Sequence, residues 1–201
     1  SVSGKDWYGS ETVYDPYGQV LRSTLGAQPY RVWTQNTFDE SSGELKQQSV
    51  FREKPGDTSL VGQNPNNPWL VSDRSYTYDP SGNVTSVKEG SLGIEERQCF
   101  TYDPLGQLKS AWTSKDQSAC TGPKNSDGTL NVAAGKDNSG YWQEYEYDLL
   151  GNRKKLTEKD LTGAAAKDAT TTYAYGKADS TQPHTLTKVS KTYTTPAGAQ
   201  V

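Results

Sequence analysis

Four aspartates share one setting. Asp15, Asp79, Asp103 and Asp148 each follow a tyrosine and precede a glycine by three residues, in YDPYG, YDPSG, YDPLG and YDLLG. A carboxylate so placed could transfer protons, hold a cation or shape a turn. Glycoside chemistry needs a second carboxylate at a defined separation. A calcium loop needs several oxygens from one short segment, and no D-x-D-x-D-G loop exists. The group recurs once per segment, which a single active site does not require. A type I β-turn uses all of it. Asp15, Asp79, Asp103 and Asp148 take the first corner. Pro16, Pro80 and Pro104 preset the second, and Gly18, Gly82, Gly106 and Gly151 take the fourth.

Other reactive side chains are sparse. His184 is the sole histidine, no G-x-S-x-G elbow is present, and no glycine-rich phosphate loop occurs. Glu144 and Glu146 flank Tyr145 at strand spacing and read as solvated carboxylates on one face. Cys99 and Cys120 fit either a disulfide or two buried thiols, and a secreted protein would carry the disulfide. Two cysteines and one histidine fall short of a structural zinc set. No metal or cofactor is expected. Among the tryptophans, Trp69 follows NPNNP in an irregular stretch, which makes it the candidate sugar contact.

The elements that carry these residues are strands. Aromatics recur with period two before the turns: Tyr76 and Tyr78, Phe100 and Tyr102, Tyr145 and Tyr147, then Tyr173 and Tyr175. Period two puts each pair on one sheet face. With Tyr14 they form a ladder beside the turns, stabilised by cross-strand aromatic pairs. After the turn, Leu108, Ser110 and Trp112 alternate in the same way. Each unit is therefore a β-hairpin with the motif at its tip, and hairpins must stack to be stable. Turns fall near 15–18, 39–43, 79–82, 103–106 and 148–151. The second lacks proline, in FDESSGEL. Loops fall near 54–68 and 114–140, helix signals are weak, and the last residues are expected to fray. One repeat domain spans 1–201.

Composition agrees with a thin core. Only 31% of residues are hydrophobic, but 10% are aromatic and the net charge is −3, which argues against disorder. No run approaches a membrane helix, and no basic cluster marks a nucleic-acid surface. The lack of Met and the abrupt ends predict a segment of a longer chain, with any export signal outside it.

The recurring Tyr-Asp-x-x-Gly unit resembles the YD, or Rhs, repeats of bacterial secreted and polymorphic-toxin proteins, of toxin-complex C subunits and, more distantly, of teneurins. VYDPYGQVL, YTYDPSGNVTSV, QCFTYDPLGQLKSAWT and YEYDLLGNRKK carry the resemblance, and YAYGKADSTQPHTLTKV is similar to a degenerate copy. The resemblance implies an all-β fold, an open, curved sheet of antiparallel hairpins that forms part of a shell. It implies a structural role without catalysis, extracellular location, and as partners the rest of the same protein with its toxin cargo. A cell-surface glycan partner is the alternative, and a glycoside hydrolase a remoter one. Many repeats of the family have Arg after the glycine, whereas this chain has Gln19, Asn83, Gln107 and Asn152. No self-cleaving plug or toxin is recognisable. About five repeats should leave the arc open, with edges prone to association.

Overall fold

The computed structural model describes residues 8–27, 30–53, 69–91, 93–135, 138–177 and 181–194. Twelve strands follow one another in chain order: β1 (Gly9–Tyr14), β2 (Val20–Leu25), β3 (Val32–Phe38), β4 (Leu45–Arg52), β5 (Leu70–Tyr78), β6 (Val84–Ser91), β7 (Ile94–Tyr102), β8 (Leu108–Ser114), β9 (Trp142–Tyr147), β10 (Arg153–Glu158), β11 (Ala169–Tyr175) and β12 (Leu186–Thr192). Their order in the single sheet is the same as in the sequence, so among the described residues β1 and β12 are its outermost strands and the sheet is open. A 3₁₀ turn covers Ala165–Lys167. Among the described residues no helix is long and apolar enough to cross a membrane. The candidate loop at 54–68 lies outside the described residues, as do Trp7 and the end of the chain.

Each motif closes a hairpin, and the hairpins β1–β2, β3–β4, β7–β8 and β9–β10 carry a bulge just past the tip. In β7–β8, Tyr102 faces Leu108 but Thr101 faces Ser110, leaving Lys109 over. The same slip separates Phe38↔Leu45 from Thr37↔Gln47 and Tyr147↔Arg153 from Glu146↔Lys155. A bulge adds one residue to one strand and reverses the faces beyond it. It corrects the period-two reading of Leu108, Ser110 and Trp112. Ser110 and Trp112 share a face, while Leu108 lies on the face of Tyr102.

Within the sheet the chain forms two compact units, Ser1–Tyr78 with Val87–Glu95 and Asp79–Ser86 with Glu96–Val201. In the first, Thr24, Trp33, Phe51 and Leu70 face one another across β2 to β5. Trp33, Phe51 and Leu70 are buried, and the Trp33 and Phe51 rings stack at 5.7 Å. Beside this row Glu53 is buried against Arg31, which bonds it through backbone N (2.9 Å), Nε (3.1 Å) and Nη2 (2.8 Å).

In the second unit the row is Cys99, Trp112 and Trp142 across β7, β8 and β9. Val132 is buried with them, and Cys120, Leu130 and Leu161 pack alongside. The polar stretch after β8 is more than a loop. Bridges Ser114↔Val132 and Lys124↔Leu130 fold it back onto the sheet. A disulfide between Cys99 and Cys120 pins it there, with Cα atoms 5.7 Å apart. Buried tryptophans supply the large apolar area that the scarce aliphatics do not.

Candidate functional site

The motif aspartates spend their carboxylates on the turn. Asp15 Oδ1 accepts the backbone N–H of Tyr17 (2.9 Å) and Gln19 (2.8 Å). Asp79 Oδ1 accepts those of Ser81 (2.8 Å) and Asn83 (3.0 Å). Asp103 takes Leu105 and Gln107, each at 2.9 Å, and Asp148 takes Leu150 and Asn152, each at 2.9 Å. The glycine N–H closes onto the aspartate carbonyl each time, as from Gly82 to Asp79 (3.0 Å). Gly82 sits at φ +82°, where a side chain costs roughly 1–2 kcal/mol. Gly82→Val should therefore lower stability by at least about that amount, read as a lower urea midpoint. An unchanged midpoint would contradict the turn assignment. Asp79→Ala should lower the melting temperature by a few degrees, because two backbone donors lose their acceptor.

Three turn carboxylates, Asp39, Asp79 and Asp148, respond to acid. Asn83 amide and backbone bonds hold Asp79 below its usual range, Asn152 does the same for Asp148, and Lys46 with Ser41 and Ser42 for Asp39. A depressed folded value stabilises the protein above the unfolded carboxyl value of about 3.9, and the contribution fades as pH falls through the lower folded values. Thermal melts from neutral pH downward should stay level to about pH 4 and then drop. A midpoint unchanged at pH 2 would refute this.

A second use of the motif was not legible from turn chemistry. The tyrosines that end β5, β7, β9 and β11 each donate a hydroxyl to the preceding hairpin. Tyr78 bonds the Leu45 carbonyl (2.8 Å), Tyr102 that of Val84 (2.8 Å), Tyr147 that of Leu108 (3.0 Å) and Tyr175 that of Arg153 (3.1 Å). Every acceptor is the first residue of the strand that follows a turn. Burial pushes the Tyr78, Tyr102 and Tyr147 phenols up, so they remain protonated donors. Phe38 lacks the hydroxyl, and Asn36 Nδ2 bonds the Val20 carbonyl instead (2.8 Å). Tyr102→Phe should cost about 1 kcal/mol, the net value of one hydrogen bond; equal urea midpoints would deny the latch.

The ladder thus runs through hydroxyls more than ring faces. Of the remaining members, Tyr173 stacks under the Arg153 guanidinium (4.5 Å) and Tyr145 donates to Gln143 Oε1 (2.7 Å). Tyr76 lies beside Arg74, and Phe100 lines a crevice between the tips at 79–83 and 103–106. Tyr14, on β1, is exposed. Two of the residues after the glycines tie tips together. Gln19 Nε2 reaches the Gly43 carbonyl (2.9 Å), and Asn152 bonds the Pro183 carbonyl (3.1 Å) and His184 Nδ1 (2.7 Å). His184 is thereby a tip residue.

One open groove of about 610 Å³ lies on the face of Trp142, lined by Glu144, Glu146, Lys155, Lys159 and Asp168 among others. Its carboxylates are matched to lysines. Glu146 meets Lys155 at 2.9 Å, which holds it below the usual range. Lys159 lies 3.2 Å from both Glu144 and Asp168; burial pulls its ammonium down, and these two partners outweigh that and hold it up. A glycosidase acid needs a carboxyl raised toward neutrality, and ion pairing works the other way. Trp69 is half-buried, with the Arg52 guanidinium over its ring at 4.9 Å. That contact occupies a face a sugar would use. Among the described residues no group of three His, Cys, Asp or Glu could hold a metal.

No protein-family model and no curated protein matches the chain. Solved structures do. The crystal structure of TcdB2-TccC3-Cdc42 aligns with a TM-score of 0.57 at 21% identity, covering 88% of this chain and 8% of that one. The TcdB2-TccC3 structure without its hypervariable C-terminal region gives 0.56 at 21%, covering 91% and 8%. The Photorhabdus luminescens Tc holotoxin pore gives 0.54 at 22%, covering 84% and 7%. The chain thus shares a fold with toxin-complex components and spans under a tenth of their length.

Proposed function

We propose that this chain is a wall segment of a secreted Rhs/YD-repeat protein, one stretch of a β shell around or carrying a toxin, and that the segment performs no catalytic step. The observation that carries the reading is the repeated latch. The aspartate that could have done chemistry and the ladder tyrosine beside it are spent, hairpin after hairpin, on joining a hairpin to itself and to its neighbour. A wall requires such identical joints, and an active site does not. The fold shared with toxin-complex components supports the same reading. A disulfide suits an oxidising compartment outside the cytosol.

Electron microscopy of the full-length protein containing this segment tests the proposal. The expected result is a hollow β shell with these hairpins in its wall and a separate domain inside or appended. Finding the segment outside any enclosing sheet would overturn it. So would saturable glycan binding by the isolated segment that is lost in Trp69→Ala.

A further inference from the structure

The sheet is continuous, but its buried rows are not. One row, Trp33, Phe51 and Leu70, lies on β3, β4 and β5 in the first unit. The other, Cys99, Trp112 and Trp142 with Val132, lies on β7, β8, β9 and the segment after β8 in the second. Neither row includes a residue of β1 or β12, so neither depends on what adjoins the outermost strands. The fastenings divide in the same way. The Arg31–Glu53 and Arg74–Glu89 ion pairs and the Tyr78 latch to Leu45 fall wholly in the first unit. The disulfide and the latches of Tyr102, Tyr147 and Tyr175 fall wholly in the second.

Strand order follows chain order, so no strand returns to tie distant hairpins together. Stability in such an array is a sum of local and nearest-neighbour contributions, and a weakened joint opens the unit that holds it. The units differ in one chemical respect. Both cysteines of the chain, Cys99 and Cys120, belong to the second. Cys99 is fully buried and Cys120 half-buried, so an incoming thiol meets the Cys120 sulfur first. Opening the bond frees the segment that covers Trp112 and Trp142.

We propose that the disulfide is a redox control over the second unit alone: a thiol reductant loosens β7, β8 and β9 and leaves the row on β3, β4 and β5 closed. The step takes two thiol groups. The thiolate of the first attacks Cys120 Sγ, the S–S bond breaks, and Cys99 leaves as a thiolate that takes up a proton. The second thiolate attacks the mixed disulfide and releases Cys120, which is protonated in turn. The two thiol protons end on the cysteines, and the reductant ends as its own disulfide. This control concerns how the sheet comes apart and does not depend on whether the sheet encloses a toxin.

Native-state hydrogen exchange, followed peptide by peptide, tests it on the oxidised chain, on the chain in excess dithiothreitol and on two variants. Reduction should speed the slowest amides of β7, β8 and β9 at least about tenfold. Those of β3 and β4 should stay within about twofold of the oxidised protein. Tyr147→Phe needs no reductant and should act on the strands that reduction loosens, by about fivefold for one lost hydrogen bond. Tyr78→Phe should do the reverse, speeding β3, β4 and β5 by about the same factor while β7 to β9 hold. Acceleration of both sets of strands together, by reduction or by either variant, would show a single cooperative unit and overturn the proposal. Unchanged exchange in β7 to β9, in protein whose two free thiols are confirmed by mass after alkylation, would overturn it equally.

Discussion

Glu53→Ala is expected to destabilise the protein by about 3–5 kcal/mol, the usual consequence of breaking a buried ion pair from one side. The Glu53 side chain is 2% exposed and the Arg31 side chain 14%. The carboxylate receives both Nε and Nη2 of the guanidinium, the two-pronged geometry in which Arg and carboxylate interact most strongly. It also receives the Arg31 backbone N–H, while the Glu53 N–H donates to the Arg31 carbonyl at 2.8 Å. Alanine removes the acceptor of three donors at once and takes this carboxylate from a guanidinium whose side chain is only 14% exposed. Arg31 can still reach some water, which places the expected loss toward the lower end. Glu53→Gln should fall between alanine and the parent protein, because an amide oxygen keeps one acceptor but loses the charge. Urea unfolding of the three proteins decides the matter. A loss under about 1 kcal/mol for alanine would mean that the pair behaves like a surface ion pair.

What could be read from the chain beforehand was what is local. Asp79, Pro80 and Gly82 specify their turn within four residues, and the spacing of Tyr76 and Tyr78 specifies a strand face. Stacking those hairpins leads to the single antiparallel sheet. Nonlocal features were hidden. The bulge at Lys109 leaves no mark in the alternation, so Leu108 is read onto the wrong face. One trace of the tyrosine latch was the choice of Tyr over Phe at 78, 102, 147 and 175. Asn36, two residues before Phe38, was the other trace. Arg31 and Glu53 lie 22 residues apart with no motif around them. The polar composition of 114–140 concealed Leu130 and Val132, which belong to the core. Trp69 reads as a sugar platform because its partner, Arg52, sits across the irregular stretch.

The disulfide joins these hidden elements, and opening it is the other change of large expected effect. Cys99 lies in the buried row with Trp112 and Trp142, while Cys120 anchors the segment that covers them. Closing a loop of 21 residues restricts the unfolded chain by about 3 kcal/mol in the loop-entropy account. Reduction gives that back to the unfolded state. For a chain of this size it should lower the melting temperature by about 6–12 °C. The loss should also be visible locally. Without the link, the segment after β8 is held by two isolated bridges and by side chains such as Lys115, which bonds the Leu130 carbonyl at 2.9 Å. It should therefore gain hydrogen exchange before β7 and β8 do. Trp112 is 1% exposed and Trp142 7%, so uncovering them should shift tryptophan emission to longer wavelength. Cys120→Ser should reproduce the reduced protein, leaving a single thiol at Cys99. A reduced protein that melts within about 2 °C of the oxidised one, with unchanged emission, would show that the segment holds its place through packing alone.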